Sequence, residues 1–165
     1  MIHFALDASA LVKRYHREPG SEVVQMLTDA LLSDEPRRAL ISWPILAETL
    51  ASLNRKKNAG FIPESIYHAA RTRLLLDARE MNILSVTDLT IRDSLCLIEQ
   101  HNLNASDALF LRQVLDWQAQ LPEDNQVVMV ASDQRLLRAA ESEGLAVLDP
   151  EQSDPVNAKR FLITS

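Results

Sequence analysis

The sequence predicts an α/β protein: a three-layer α/β/α sandwich around a mostly parallel central sheet. Three observations predict it. Short apolar runs recur at residues 2–6, 39–41, 82–86, 127–131 and 145–148. Longer stretches with helical apolar spacing separate them, the alternation that builds a parallel sheet covered on both faces. Two of the runs end alike in a carboxylate, Leu6-Asp7 and Ala131-Ser132-Asp133. In open α/β sheets the carboxyl ends of the strands are where ligands bind.

The elements follow in order. Ile2 to Leu6 is an apolar run short enough for a buried parallel strand. A short helix is expected over residues 8–15, broken by Arg17-Glu18-Pro19-Gly20. A second helix spans 21–32, with Val23, Val24, Leu27 and Leu31 on one side. Ser33-Asp34-Glu35-Pro36 is a turn. After the strand at 39–41, Ser42 is expected to cap a helix with Pro44 in its first turn. That helix carries Ile45, Leu46, Thr49, Leu50 and Leu53 on one stripe, and Glu48 falls about 130° from its centre, at the edge of a cleft rather than in the core.

Asn58-Ala59-Gly60 ends this helix, and Pro63 opens another that reaches Arg79. Residues 82–86 form the third strand. Thr87 caps a helix over 88–101, with Ile91, Leu95 and Ile98 facing inward. A helix over 105–119 begins at Asn104-Ala105-Ser106-Asp107. The strand at 127–131 leads through Ser132-Asp133 into a helix over 134–143 that Gly144 closes. The last strand, 145–148, ends at Asp149-Pro150. The domain is therefore assigned to 1–150 and a tail to 151–165, polar apart from Phe161-Leu162-Ile163, which are expected to dock on the sheet or on a partner.

Composition excludes several classes. The 165 residues make one domain with a sizeable core, 47% hydrophobic and 24% charged. Cys96 is the single cysteine, so no intrachain disulfide forms, which suits a reducing cytoplasm. It sits in an apolar run and is expected to be a buried structural thiol. There is no leader and no apolar run long enough for a membrane span. The net charge of −6 argues against nonspecific nucleic-acid binding. Basic residues nevertheless cluster at Lys13, Arg14 and Arg17, at Arg55, Lys56 and Lys57, and at Arg135 and Arg138. His3, His16, His68 and His101 are scattered without ligand spacing. No glycine-rich phosphate loop and no serine-nucleophile elbow occur.

Right-handed crossovers set the carboxyl ends of all strands along one edge. Asp7 and Asp133 end strands there, and Asp107 and Glu48 lie on helices that begin near it. Crowded carboxylates repel unless something neutralises them. A set of Asp and Glu without His or Cys suits a hard divalent cation, Mg²⁺ or Mn²⁺.

These segments together resemble the PIN domain. Leu6-Asp7-Ala8-Ser9-Ala10-Leu11-Val12-Lys13, Glu18-Pro19-Gly20-Ser21, Ala47-Glu48, Ser106-Asp107-Ala108-Leu109 and Ser132-Asp133-Gln134-Arg135-Leu136 follow its pattern in order and spacing. So do Ala139-Ala140 and Gly144-Leu145. The VapC-like toxins of toxin–antitoxin pairs are the most similar, over residues 2–150. The resemblance implies a metal-dependent endoribonuclease using Mg²⁺ or Mn²⁺, dimeric and held by a cognate antitoxin. It carries metal-binding and catalytic roles onto Asp7, Glu48, Asp107 and Asp133, and supporting roles onto Ser9 and Ser132. Lys13, Arg14, Arg55 and Lys56 are expected to contact the RNA backbone. A non-catalytic PIN-like module binding RNA or protein is the alternative. A phosphoacceptor receiver domain fits less well, because the third strand ends in Val86-Thr87 before Asp88 rather than in an acceptor aspartate.

Overall fold

In a computed structural model, which describes residues 1–33 and 36–163, five strands form one sheet in the order β3-β2-β1-β4-β5. The strands are β1 (Ile2–Leu6), β2 (Ala39–Ser42), β3 (Asn82–Leu84), β4 (Gln126–Val130) and β5 (Ala146–Leu148). Every neighbouring pair is parallel. All five residues of β1 are buried, as a strand covered on both faces requires.

Among the described residues the α-helices are α1 (Ala8–Leu11), α2 (Ser21–Leu31), α3 (Trp43–Asn58), α4 (Glu64–Asp77), α5 (Asp88–His101), α6 (Ala105–Gln118), α7 (Gln134–Ser142) and α8 (Pro155–Ile163). Right-handed crossovers place α1 to α4 on one face and α5 to α7 on the other. The packing agrees, with α1 on α3, α3 on α4, α5 on α6 and α6 on α7. The strand order reverses between β1 and β4, so the switch point lies at the centre of the sheet.

The expected helix over 8–15 is one α-turn continued by a 3-10 turn, Val12–Arg14. The third strand stops at Leu84, because the carbonyls of Leu84 and Ser85 accept from the buried Gln113 amide instead of a neighbouring strand. Ser42 occupies the cap position of α3 by its backbone, but its buried hydroxyl makes no cap bond. The expected turn at 33–36 includes Asp34 and Glu35, which lie outside the described residues.

Two burial expectations are corrected, on α5 and at Cys96. Helix α5 turns Thr90, Ser94 and Leu97 inward and leaves Ile91 and Leu95 in solvent. The small Ser94 and the Thr87–Thr90 hydroxyl pair, 2.8 Å apart, occupy the side that meets the fold. Cys96 is exposed, on the outer face of the same helix. On α2, Val23, Val24, Leu27 and Leu31 are all buried within the chain itself, so this helix offers no open apolar stripe.

The tail forms α8, which packs on α2; Ala158 is fully buried, and Phe161 and Leu162 lie against the core. Gly20, at φ +83°, lets this closure happen: a Cβ there would stand 2.7 Å from the Pro150 carbonyl carbon and oxygen. No helix among the described residues is long and apolar enough to cross a membrane.

Candidate active site

Asp7 leaves β1 and caps α1. Its Oδ2 accepts from the Ser9 amide at 2.9 Å and from the Ser9 hydroxyl at 2.6 Å. Its own amide donates to the Val130 carbonyl of β4 at 3.0 Å, which ties the two strand ends across the switch point. Ser9 completes the tie by accepting from the Ser132 amide at 2.9 Å. Asp133 leaves β4 in the same manner and caps α7, accepting from the Arg135 and Leu136 amides. Both aspartates thus have a helix-capping role, worth about 1 kcal/mol each.

Capping does not account for the other two acids. Asp107 stands in the first turn of α6, half-buried, with Asn104 Nδ2 3.3 Å from its Oδ2. Burial, followed by the charges of Asp7, Asp133 and Glu48, pushes its carboxyl up to about 6. The Asn104 bond works the other way, too weakly to offset them. Asp7, 4% exposed, is also raised, first by burial and last by Glu48, against the opposing bonds from Ser9 and Ala8. Asp107 therefore senses the charges of Asp7, Asp133 and Glu48, and Asp7 that of Glu48, although separate elements deliver them. Among the described residues, no three His, Cys, Asp or Glu side chains are drawn together closely enough to hold an ion as they stand.

Glu48 lines a groove of about 300 Å³ with Ala8, Ser9, Val12, Ala51, Ser52 and Arg55. It sits at a cleft edge, as its position on α3 predicts. Ser132 Oγ is buried beside this centre and has no hydrogen-bond partner.

Across almost the whole chain, the fold matches solved structures. A protein from Pyrobaculum aerophilum, PAE2754, superposes with a TM-score of 0.66 at 16% identity, over 99% of both chains. FitAcB from Neisseria gonorrhoeae gives 0.59 at 15% identity, over 91% of this chain and 99% of that one. VapBC-1 from nontypeable Haemophilus influenzae gives 0.53 at 14%, over 92% and 100%. The chain has the PIN-like fold. No family model matches the sequence, and no curated protein does. What this PIN-like chain shares with its neighbours is carried by the backbone rather than by sequence identity.

The basic residues are not equivalent in this PIN-like frame. Lys13 is buried, with Nζ 2.6 Å from Glu151 and 3.5 Å from Glu18. Arg14 is buried against Asp77 at 2.6 Å and also reaches Asp29 and Thr28. Lys56 pairs with Glu18, whose carboxyl is disfavoured by burial but held below its usual range by Lys56 and Lys13. These three charges are neutralised inside the fold, which corrects the expectation that all four cations face RNA. Arg55 is exposed and forms no ion pair among the described residues. The sequence reading also passed over Asn104, whose signal is an Asn three residues before an Asp at a helix start.

Proposed function

We propose that this chain is a Mg²⁺- or Mn²⁺-dependent endoribonuclease, the toxin of a toxin–antitoxin pair. One observation carries the reading: Asp107 is raised to about 6 by burial and then by three acids from other elements, at the switch point of the sheet. Such repulsion is a standing penalty that a cation would relieve. The donor set fits a hard cation, being four carboxylates without sulfur or imidazole, next to an unpartnered Ser132 hydroxyl.

Asp7 and Asp107 would hold the ion as principal ligands, with Asp133 and Glu48 completing the site directly or through water. When bound, the ion neutralises phosphodiester charge and lowers the pKa of a water. The chain's own residues supply the rest. Ser9 fixes the Asp7 carboxylate by two bonds to Oδ2, so Asp7 is oriented before any ligand arrives. Glu48, which opens onto the groove, is the carboxylate placed to take a proton at Oε from attacking water. The exposed apolar residues of α4 and α5, Ile66, Leu75, Leu76, Leu89, Ile91 and Leu95, support protein partners, an antitoxin and a second copy. Solved neighbours include VapBC-1 and FitAB bound to a DNA fragment.

The test is cleavage of an RNA by the full chain with Mn²⁺ and with EDTA, beside calorimetric titration of Mn²⁺ into wild type and Asp7→Asn. Metal-dependent cleavage, with metal binding lost in Asp7→Asn, supports the reading. RNA binding without metal uptake or cleavage would establish the non-catalytic module instead.

A further inference from the structure

Two helical walls enclose the groove beside Glu48. Ala8, Ser9 and Val12 line one side, from α1 and the 3-10 turn that continues it. Glu48, Ala51, Ser52 and Arg55 line the other, all from α3. Each wall carries a lysine directly after its last lining residue: Lys13 follows Val12, and Lys56 follows Arg55. One carboxylate, that of Glu18, pairs with both. Its Oε2 lies 3.5 Å from Lys13 Nζ, and its Oε1 pairs with Lys56 Nζ.

Glu18 is itself held in place. Its amide donates to Ser21 Oγ at 2.9 Å, and its carbonyl accepts from the Ser21 amide at 3.1 Å. Lys13, 3% exposed, reaches on to Glu151 at 2.6 Å. Charges of alternating sign therefore run from the turn after β5 to α3, in the order Glu151, Lys13, Glu18, Lys56. No other ion pair joins the two walls among the described residues. Glu48 on one wall and Asp7, which caps the other, repel. That repulsion works to open the groove, and two cations fastened to one carboxylate oppose it. Lys56 lies eight residues along α3 from Glu48, about 12 Å, and pairs with Glu18 rather than with an acid of the site.

Resting on the nuclease reading, we propose that Glu18 is a positioning residue. Through Lys13 and Lys56 it fixes the width of the groove, and with it the reach of Glu48 toward the ion and water beside Asp7. Lys56 serves the site from behind, as an anchor of the wall rather than a contact to RNA.

The test uses the full chain. Lys56→Met keeps the aliphatic stem and cuts the tie on the α3 wall, whereas Lys56→Arg keeps the charge. Glu18→Gln is the second cut, in which Lys13 retains Glu151. Calorimetric titration of Mn²⁺ without RNA should show affinity about tenfold weaker in Lys56→Met and in Glu18→Gln, and near wild type in Lys56→Arg. The double variant should bind no more weakly than Glu18→Gln alone, because both changes cut one link. In EDTA, hydrogen exchange in Lys56→Met should quicken at the Ala10 and Leu11 amides, which bond the Asp7 carbonyl, and along α3, but not on α7. At saturating Mn²⁺, RNA cleavage should lose kcat more than it gains KM. Wild-type Mn²⁺ affinity in Lys56→Met, or additive losses in the double variant, overturns the tie. So does faster exchange spread evenly over the chain, which marks an ordinary loss of stability. A raised KM with unchanged kcat overturns it too, by making Lys56 an RNA contact. A wild type that takes up no Mn²⁺, with the exchange pattern as expected, overturns the nuclease reading and leaves the tie standing.

Discussion

Replacing Asp107 with Asn should stabilise the metal-free chain at neutral pH. In the fold its carboxyl is raised from 3.8 to about 6 by burial, then by Asp7, Asp133 and Glu48. About two pKa units correspond to about 3 kcal/mol of penalty on the charged form. Asp107 is only half-buried, and the first turn of α6 favours a negative charge by up to about 1 kcal/mol. Solvent screening reduces the figure further, leaving roughly 1–2 kcal/mol. The sign follows from proton counting. Between about pH 4 and 6 the folded chain binds more protons than the unfolded one, so stability falls as pH rises through that window. The penalty is absent below pH 4 and complete at pH 7. For a chain of this size, Asp107→Asn should melt roughly 2–6 °C higher than wild type at pH 7 in EDTA, and at the same temperature near pH 4. With Mn²⁺ at millimolar concentration the order should reverse, because wild type gains by linkage what the variant cannot. Calorimetric melts at the two pH values, with and without Mn²⁺, read all of this. A variant that melts lower in EDTA at pH 7, or by the same margin at both pH values, would show that the four acids do not strain against one another.

Asp7→Asn keeps the shape of the α1 cap, so it should lose RNA cleavage by orders of magnitude while melting within a few degrees of wild type in EDTA; equal cleavage would remove Asp7 from the site. Gly20→Ala forces a Cβ against the Pro150 backbone at positive φ and should destabilise by about 2 kcal/mol or more, read in urea unfolding; an unchanged midpoint would mean that the approach of the 150 loop to α2 is loose. Asp77→Ala leaves Arg14 buried without its closest carboxylate partner and removes the acceptor of the Tyr15 hydroxyl, so a loss of about 3 kcal/mol is expected by the same measurement; a loss below 1 kcal/mol would place Arg14 in solvent.

The sheet was legible in the sequence because its strands are short apolar runs, with an acid just past the end of β1 and of β4, and that pattern is local. Asp7 and Asp133 could be placed on one edge from topology alone, before any distance was known. What escaped was decided by contacts far apart in the chain. Lys13 and Arg14 read as a surface pair, yet Glu151, in the turn after β5, and Asp77, at the end of α4, draw them inside. Periodicity on α5 placed Ile98 against the core but put Ile91 and Leu95 there wrongly, because the inner stripe includes Thr90 and Ser94, which an apolar count ignores.

The place of β1 at the middle of the sheet also sets a clock. Asp7 is made 126 residues before its partner across the switch point, Asp133, and the amide of Asp7 waits on Val130 for its bond. At ordinary rates of synthesis that interval is roughly 6–25 s. Until β4 has been made and inserted beside β1, the nascent chain has one acid of the pair and no crevice. Any chemistry that needs that crevice, the proposed cleavage included, is therefore absent on the ribosome for most of the chain's making.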